Sequence, residues 1–384
     1  MMRLLRNQKV RGILFQVLTI IGLVAFLWYI GQNTVHNIEQ RGIRTGFGFL
    51  SGTAGFGIDE SPISFSEGDT YARVFLVGLL NTLIIGAVGI VFATILGLII
   101  GVLRLSRNWL IKKLSAAYID IFRNIPILLQ ILFWYNVVLS ALPSPKRSIE
   151  LFGSIYINNR GFNLPVPEWN STTIAVLSSF VIVTIFGFFL NKWANKRQEE
   201  TGEEFPVRYV VLALFIIAPI IAYYLGGANF NFDYPHLKGF NFKGGKSISP
   251  EFLALTFALV IYTATFIAEA VRSGIEAVSK GQKEAAASIG LSSYQALKLV
   301  ILPQAVRIAI PPTINQYLNL IKNSSLATAV GYPEIVTVFA GTSLNQVGQA
   351  IEIMAMTMLV YLTISLIVSA ILNWFNHKMK IKER

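Results

Sequence analysis

The sequence predicts an all-α integral membrane protein of about eight transmembrane helices, five of which form a core. Three observations carry this reading. The chain is 54% hydrophobic and 14% charged, with a mean hydropathy of +0.58, a balance found where the solvent is lipid rather than water. Eight apolar runs approach the roughly 20 residues that cross a hydrocarbon layer. Lys and Arg also segregate by side. With the N-terminus placed inside, 21 of the 32 fall in inner segments, 8 in outer segments and three at span edges. Inner loops collect cations, so orientation explains the net charge of +12 and no nucleic-acid partner is implied. An even span count returns the C-terminus to the cytoplasm.

Taken in order, the first run, 13–30, ends in Trp28-Tyr29, residues suited to a membrane interface. No small-x-small cleavage site follows, so it reads as a retained anchor. The second run, 74–103, would be roughly 45 Å long as a helix and must tilt or project. Its Gly97-x-x-x-Gly101 pair invites close approach of another helix. The third run covers 118–141. The fourth and fifth, 172–190 and 209–226, are joined by the charged NKWANKRQEETGEEF. The sixth is 251–270. The seventh, 305–322, contains Pro311-Pro312, whose missing amides predict a kink or local unwinding; a substrate path could use it, and so could simple proline packing. The eighth is 350–374. The organisation that follows is an N-terminal anchor with a glycine-rich outer loop (1–72), a first core part (73–142), an insert with two extra spans (143–250) and a second core part (251–384).

Several chemistries drop out. The chain has no cysteine, which removes disulfides, thiolate nucleophiles and cysteine metal sites. His36, His236 and His377 are scattered outside the spans, so no metal site is expected. The segment 239–247, GFNFKGGKS, approaches a phosphate-binding loop, but Gly245 intervenes before Lys246 and the segment is outer; it reads as a turn. The 20 carboxylates fall in loops or near span ends, which argues against a carrier driven by an ion gradient. No filter loop suggests a channel.

The inner segment 271–304 is the most informative. Residues 284–312 read EAAASIGLSSYQALKLVILPQAVRIAIPP. Good helix formers occupy 282–289, and Gly290 stops that helix. Ser292 opens a second, with Gln295 completing a capping box. Pro303 is expected to end it. The spacing of Glu284-Ala285-Ala286, Gly290 and Ile301-Leu302-Pro303 resembles the EAA loop of ABC importer permeases. Phe122-Arg123-Asn124-Ile125-Pro126-Ile127-Leu128-Leu129-Gln130 resembles the FRGTPLLVQ segment of the polar and general amino-acid permeases. Lys322-Asn323-Ser324-Ser325-Leu326 resembles their KDTSL. GFGFL…TAGF at 46–56 and Asn158-Asn159-Arg160-Gly161 are similar to the longer Q-type (Aap/Bzt-like) subunit.

The resemblance implies the transmembrane fold of a type I ABC importer in a bacterial inner membrane, and a permease rather than an enzyme. One EAA loop per chain and two ATPase sites imply a second, related permease subunit. Two copies of an ABC ATPase, which binds ATP and Mg, and an extracytoplasmic amino-acid-binding protein complete the assembly in membrane lipid; no cofactor is implied in this chain. The coupling residues would be Glu284, Ala285, Ala286, Gly290, Ile301, Leu302 and Pro303. Glu284 would accept bonds from the ATPase, the alanines would keep the helix face flat, and Gly290 would permit the bend. Donors and acceptors for an amino-acid zwitterion would come from Asn81, Thr82, Asn315, Gln316, Asn323, Ser324 and Ser325, each of which also suits a helix–helix hydrogen bond or a cap. Asn323 stands where the family usually has aspartate, which argues against a strictly basic substrate. Asp120–Arg123 and Glu269–Arg272 read as structural i,i+3 ion pairs. A scaffold that docks the ATPase without transporting is the alternative, since the loop speaks only for docking.

Overall fold

The computed structural model describes residues 8–379 except Arg41 and Ile43. Six cations that weigh in the orientation reading, Arg3, Arg6, Arg41, Lys380, Lys382 and Arg384, lie outside the described residues. The helices are α1 (Gln8–Gln40), α2 (Tyr71–Leu103), α3 (Trp109–Asn124), α4 (Ile127–Phe133), α5 (Ser171–Thr201), α6 (Val207–Leu225), α7 (Pro250–Glu276), α8 (Lys280–Ser288), α9 (Ser293–Ala296), α10 (Leu302–Asn323), α11 (Leu344–Val347) and α12 (Ala350–Met379). Among the described residues seven helices are long and apolar enough to cross a membrane, or eight if α3 and α4 form one broken span. The span expected at 118–141 is therefore interrupted. Pro126 supplies no amide and forces the residue before it out of the helical region; Ile125 is accordingly extended, at φ −89° and ψ 126°.

The chain divides into two compact units, Met1–Ile125 with Leu259–Arg384, and Pro126–Ala258. In the first, α1 is exposed on every face over its most apolar stretch, as a lipid-facing anchor is. The glycine-rich outer segment is folded inward rather than loose. Ala54 is buried, and Phe49 meets the rings of Tyr71 and Phe339, both at 6.2 Å.

Helix α2 uses its glycines within the chain. A Cβ on Gly97 would lie 2.6 Å from Ile267 Cβ, and one on Gly101 would lie 2.8 Å from the Ala268 carbonyl. The small-residue pair thus seats α2 on α7, where backbones approach closely. Gly97→Ala is expected to destabilise the protein by about 1–3 kcal/mol through overpacking, read as a lower unfolding temperature in detergent. An unchanged temperature would count against the contact.

The second unit pairs α5 with α6. Asn170 caps α5 by accepting the Thr173 N–H at 2.9 Å, and the Thr172 hydroxyl donates to the Gly226 carbonyl at 2.7 Å. Beside the helices run eight short strands: β1 (Ile149–Leu151), β2 (Ile155–Asn158), β3 (Gly161–Leu164), β4 (Val166–Pro167), β5 (Phe232–Asp233), β6 (His236–Lys238), β7 (Asn241–Lys243) and β8 (Lys246–Ile248). They form an antiparallel sheet in the order β1-β2-β3-β8 and two ribbons, β4-β5 and β6-β7. The helical class holds and the strands are an addition to it. At two to four residues they are too short to show a legible alternation. The segment resembling a phosphate loop supplies β7 and part of β8.

Candidate functional site

The predicted helix–turn–helix forms between α7 and α10. Ser279 caps α8, its hydroxyl accepting the Gln282 N–H at 3.4 Å. At the other end Gly290 adopts φ +79°, a left-handed conformation that glycine enters without a Cβ penalty. The Gly290 N–H then reaches the Ala287 carbonyl at 3.0 Å, and the Leu291 N–H reaches that of Ala286 at 3.1 Å, the paired closure of a Schellman turn. The capping box opens α9: the Ser292 hydroxyl accepts the Gln295 N–H at 3.3 Å, and the Gln295 side chain accepts the Ser292 N–H at 2.9 Å.

Pro303 does not end this helix. Residues Leu297–Ile301 make a π-helical turn in which the Leu302 N–H bonds the Leu297 carbonyl, five residues back. The wider turn brings Pro303 into the first turn of α10, where no amide is needed. The helical run continues unbroken through Pro311 and Pro312, so the local unwinding expected there is absent; Ser293–Ala329 is one run of 37 residues. Ala286 is buried, whereas Glu284, Ala285, Leu302 and Pro303 are exposed and Ile301 is half-buried. Ile289 and Tyr294 are 75% and 71% exposed. Two large apolar side chains held open on a polar loop suit contact with another protein.

The seven polar residues considered for a substrate path do not gather in one place. The Asn81 amide donates to the carbonyls of Glu60 and Pro333, both at 2.8 Å. Thr82 donates to the Gly78 carbonyl at 2.9 Å and accepts the Ile335 N–H at 3.2 Å. Ser324 and Ser325 donate to carbonyls three residues back, at 2.7 and 2.8 Å. Asn323 is half-buried at the end of α10. Asn315 is exposed and Gln316 half-buried two turns earlier. Glu269 and Arg272 pair as expected, with Nε to Oε2 at 3.1 Å. Asp120 and Arg123 do not: among the described residues Arg123 makes no ion pair, and its guanidinium lies 5.2 Å from the centre of the Phe266 ring.

One residue escaped the sequence reading. Glu334 follows Gly331-Tyr332-Pro333 in a loop-like segment, yet it is wholly buried. Its carboxyl accepts the Thr337 N–H at 2.9 Å, the Thr337 hydroxyl at 3.2 Å and the Tyr361 hydroxyl at 3.1 Å. Thr82 stands at 3.5 Å. Burial pushes the Glu334 carboxyl above the usual carboxylate range, against the lowering pull of these bonds. Asn81 and Thr82 thus belong with Glu334 to a polar clasp that ties the 333–337 segment to α2 and α12. Local spacing gave no sign of it, because a glutamate after Gly-Tyr-Pro reads as solvated turn.

Among the described residues no cluster of three or more His, Asp or Glu could hold a metal ion. Comparison with known proteins then places the chain. Residues 209–381 match the family described as binding-protein-dependent transport system inner membrane component. The amino-acid ABC transporter permease protein YhdX of Escherichia coli is 49% identical over 378 residues, covering 98% of this chain and 96% of its own. The general L-amino acid transport system permease protein AapQ of Rhizobium johnstonii is also 49% identical, covering 98% and 94%. The glutamate/glutamine/aspartate/asparagine transport system permease protein BztB of Rhodobacter capsulatus is 39% identical over 412 residues, covering 99% and 96%. A multi-pass helical chain with an exposed EAA-type turn, similar to these proteins from end to end, belongs to the amino-acid ABC transporter permeases.

Proposed function

We propose that this chain forms half of the translocation path of an ATP-driven importer for L-amino acids. It pairs with a second, related permease. Its 280–303 segment docks on one of two ATPase subunits, which bind ATP and Mg. An extracytoplasmic binding protein delivers the substrate. The observation that carries this reading is the exposed helix–turn–helix, whose Schellman turn at Gly290 presents Glu284, Ala285, Ile289 and Tyr294 outward while Ala286 is buried and the Gln282–Gln304 contact at 3.4 Å ties it to α10. The cation distribution supports an inner-membrane orientation with both termini cytoplasmic. The substrate class follows from the relatives named for general L-amino acids and for glutamate, glutamine, aspartate and asparagine.

The test is reconstitution of the chain with its partner permease, ATPase and binding protein in liposomes, following labelled amino acids. Uptake is expected to require both ATP and the binding protein. Accumulation on an ion gradient without ATP would replace this reading with a secondary carrier. ATPase docking without any uptake would leave only a scaffold.

A further inference from the structure

The turn that joins α2 to α3 is cationic and has no carboxylate of its own to answer it. Arg104, Arg107, Lys112 and Lys113 lie close together, and between Asp69 and Asp120 the sequence contains no Asp or Glu. Arg104 acts on Glu269, so its charge is partly balanced. Among the described residues Arg107, Lys112 and Lys113 make no ion pair, and all three are exposed.

Their depth is fixed by the helices on either side. Gly101, in the last turn of α2, packs against Ala268 and Val271 of α7, and α7 ends at Glu276, just before α8. The cations therefore stand at the membrane edge that carries the α8–α9 turn, the inner edge by the cation count. The join is short and closed by its own bonds. The Ser106 N–H meets the Leu103 carbonyl at 3.0 Å, and the Asn108 N–H meets the Ser106 hydroxyl at 3.1 Å. Asn108 then caps α3, its side chain accepting the Leu110 and Ile111 N–H groups at 2.9 and 3.2 Å. The charges thus stay level with the end of a span.

Helix α3 presents two unlike sides. Ser115 and Ile119 are buried, and the Tyr118 hydroxyl donates to the Ile261 carbonyl at 2.8 Å. On the other side Leu110, Leu114 and Ile121 are each more than half exposed, and their spacing sets them in one stripe. Trp109 is 70% exposed at the head of the helix, with Lys112 and Lys113 one turn on. Asp120 is about two turns beyond Lys113. Water is a poor solvent for the stripe and acyl chains a poor one for the lysines. The boundary between headgroups and chains suits both, and tryptophan is at home there.

We infer that Arg107, Lys112 and Lys113 bind the phosphate of an anionic phospholipid of the inner leaflet, with Trp109, Leu110 and Leu114 against its acyl chains. Each lysine brings three N–H donors, and Arg107 a planar fork that matches phosphate oxygens. The site does not depend on import, since a scaffold with the same turn would hold the lipid as well.

The test strips the complete permease–ATPase complex of lipid in detergent and follows rebinding of phosphatidylglycerol by native mass spectrometry. The first phosphatidylglycerol is expected to bind at least tenfold more tightly than phosphatidylcholine, whose choline cancels the phosphate charge. Arg107→Gln, Lys112→Gln and Lys113→Gln are each expected to weaken that binding by about fivefold, and Lys112→Arg to leave it unchanged. Equal binding of the two lipids, or unchanged binding in all three glutamine variants, would overturn the site. Displacement of the lipid by millimolar inorganic phosphate would make it a site for soluble anions, and loss of ATPase from variants that still hold the lipid would make it a protein contact; either result removes the proposal. A second measurement needs no variant. In about 1 M ammonium acetate, where charges are screened beyond about 3 Å, the preference for phosphatidylglycerol should vanish, and its persistence would overturn the role of the cations. A complex that imports no amino acid but keeps the lipid removes the import reading alone, whereas normal import with no lipid preference removes this one alone.

Discussion

Glu334→Leu is expected to destabilise the protein by about 2–5 kcal/mol, because it strands two or more buried donors that the carboxyl now satisfies, at about 1–3 kcal/mol each. Leucine has a similar size, so the loss would come from the orphaned Thr337 N–H and Tyr361 hydroxyl rather than from a cavity. Glu334→Gln keeps an acceptor oxygen and should lose far less. Thermal unfolding in detergent separates the two variants, and a Glu334→Leu protein as stable as the wild type would dissolve the clasp. The pH dependence has a definite sign. A carboxyl raised by burial holds its proton more tightly folded than unfolded, so stability is greatest below the unfolded value and falls as pH climbs toward the folded one. Glu334→Gln should flatten that slope.

The second large effect is expected at Gly290. Its φ of +79° costs a β-branched residue roughly 1–2 kcal/mol, yet an added Cβ meets nothing within 4 Å. The penalty therefore falls on the turn and not on packing. Gly290→Val should reopen the Schellman closure and swing α8 away from α9, and ATP-driven uptake should fall at least tenfold while the protein still folds. Asn tolerates the left-handed region, so Gly290→Asn should stay within about threefold of wild type. Equal losses in both variants would mean that side-chain contact, not backbone shape, decides coupling.

Much of this was legible in the residues. Apolar runs located the spans, and the capping box at Ser292 and Gln295 and the stop at Gly290 follow from local hydrogen-bond rules that tertiary contacts did not override. What stayed hidden depended on context. Pro303 reads locally as a breaker, but the π-helical turn before it supplies a carbonyl geometry the proline ring can join. Glu334 reads as a solvated turn and Asn81 as a substrate-path candidate or a helix–helix bond, because their partners lie far off in sequence: Asn81 bonds Pro333, and Glu334 bonds Tyr361. Arg123 was assigned to Asp120 by spacing alone; the aromatic face of Phe266, on another helix, took its place.

The unbroken run from Ser293 to Ala329 has a mechanical meaning. At 1.5 Å per residue, 37 residues make a helical path of about 55 Å, longer than a bilayer is thick. One end carries the exposed Tyr294 and the other the buried turn around Ser324. Because no break interrupts the helical run, a displacement at the Tyr294 end would be carried along it to the Ser324 end. If the turn docks on an ATPase as proposed, movement there would reach the far end of the span through one continuous helical run.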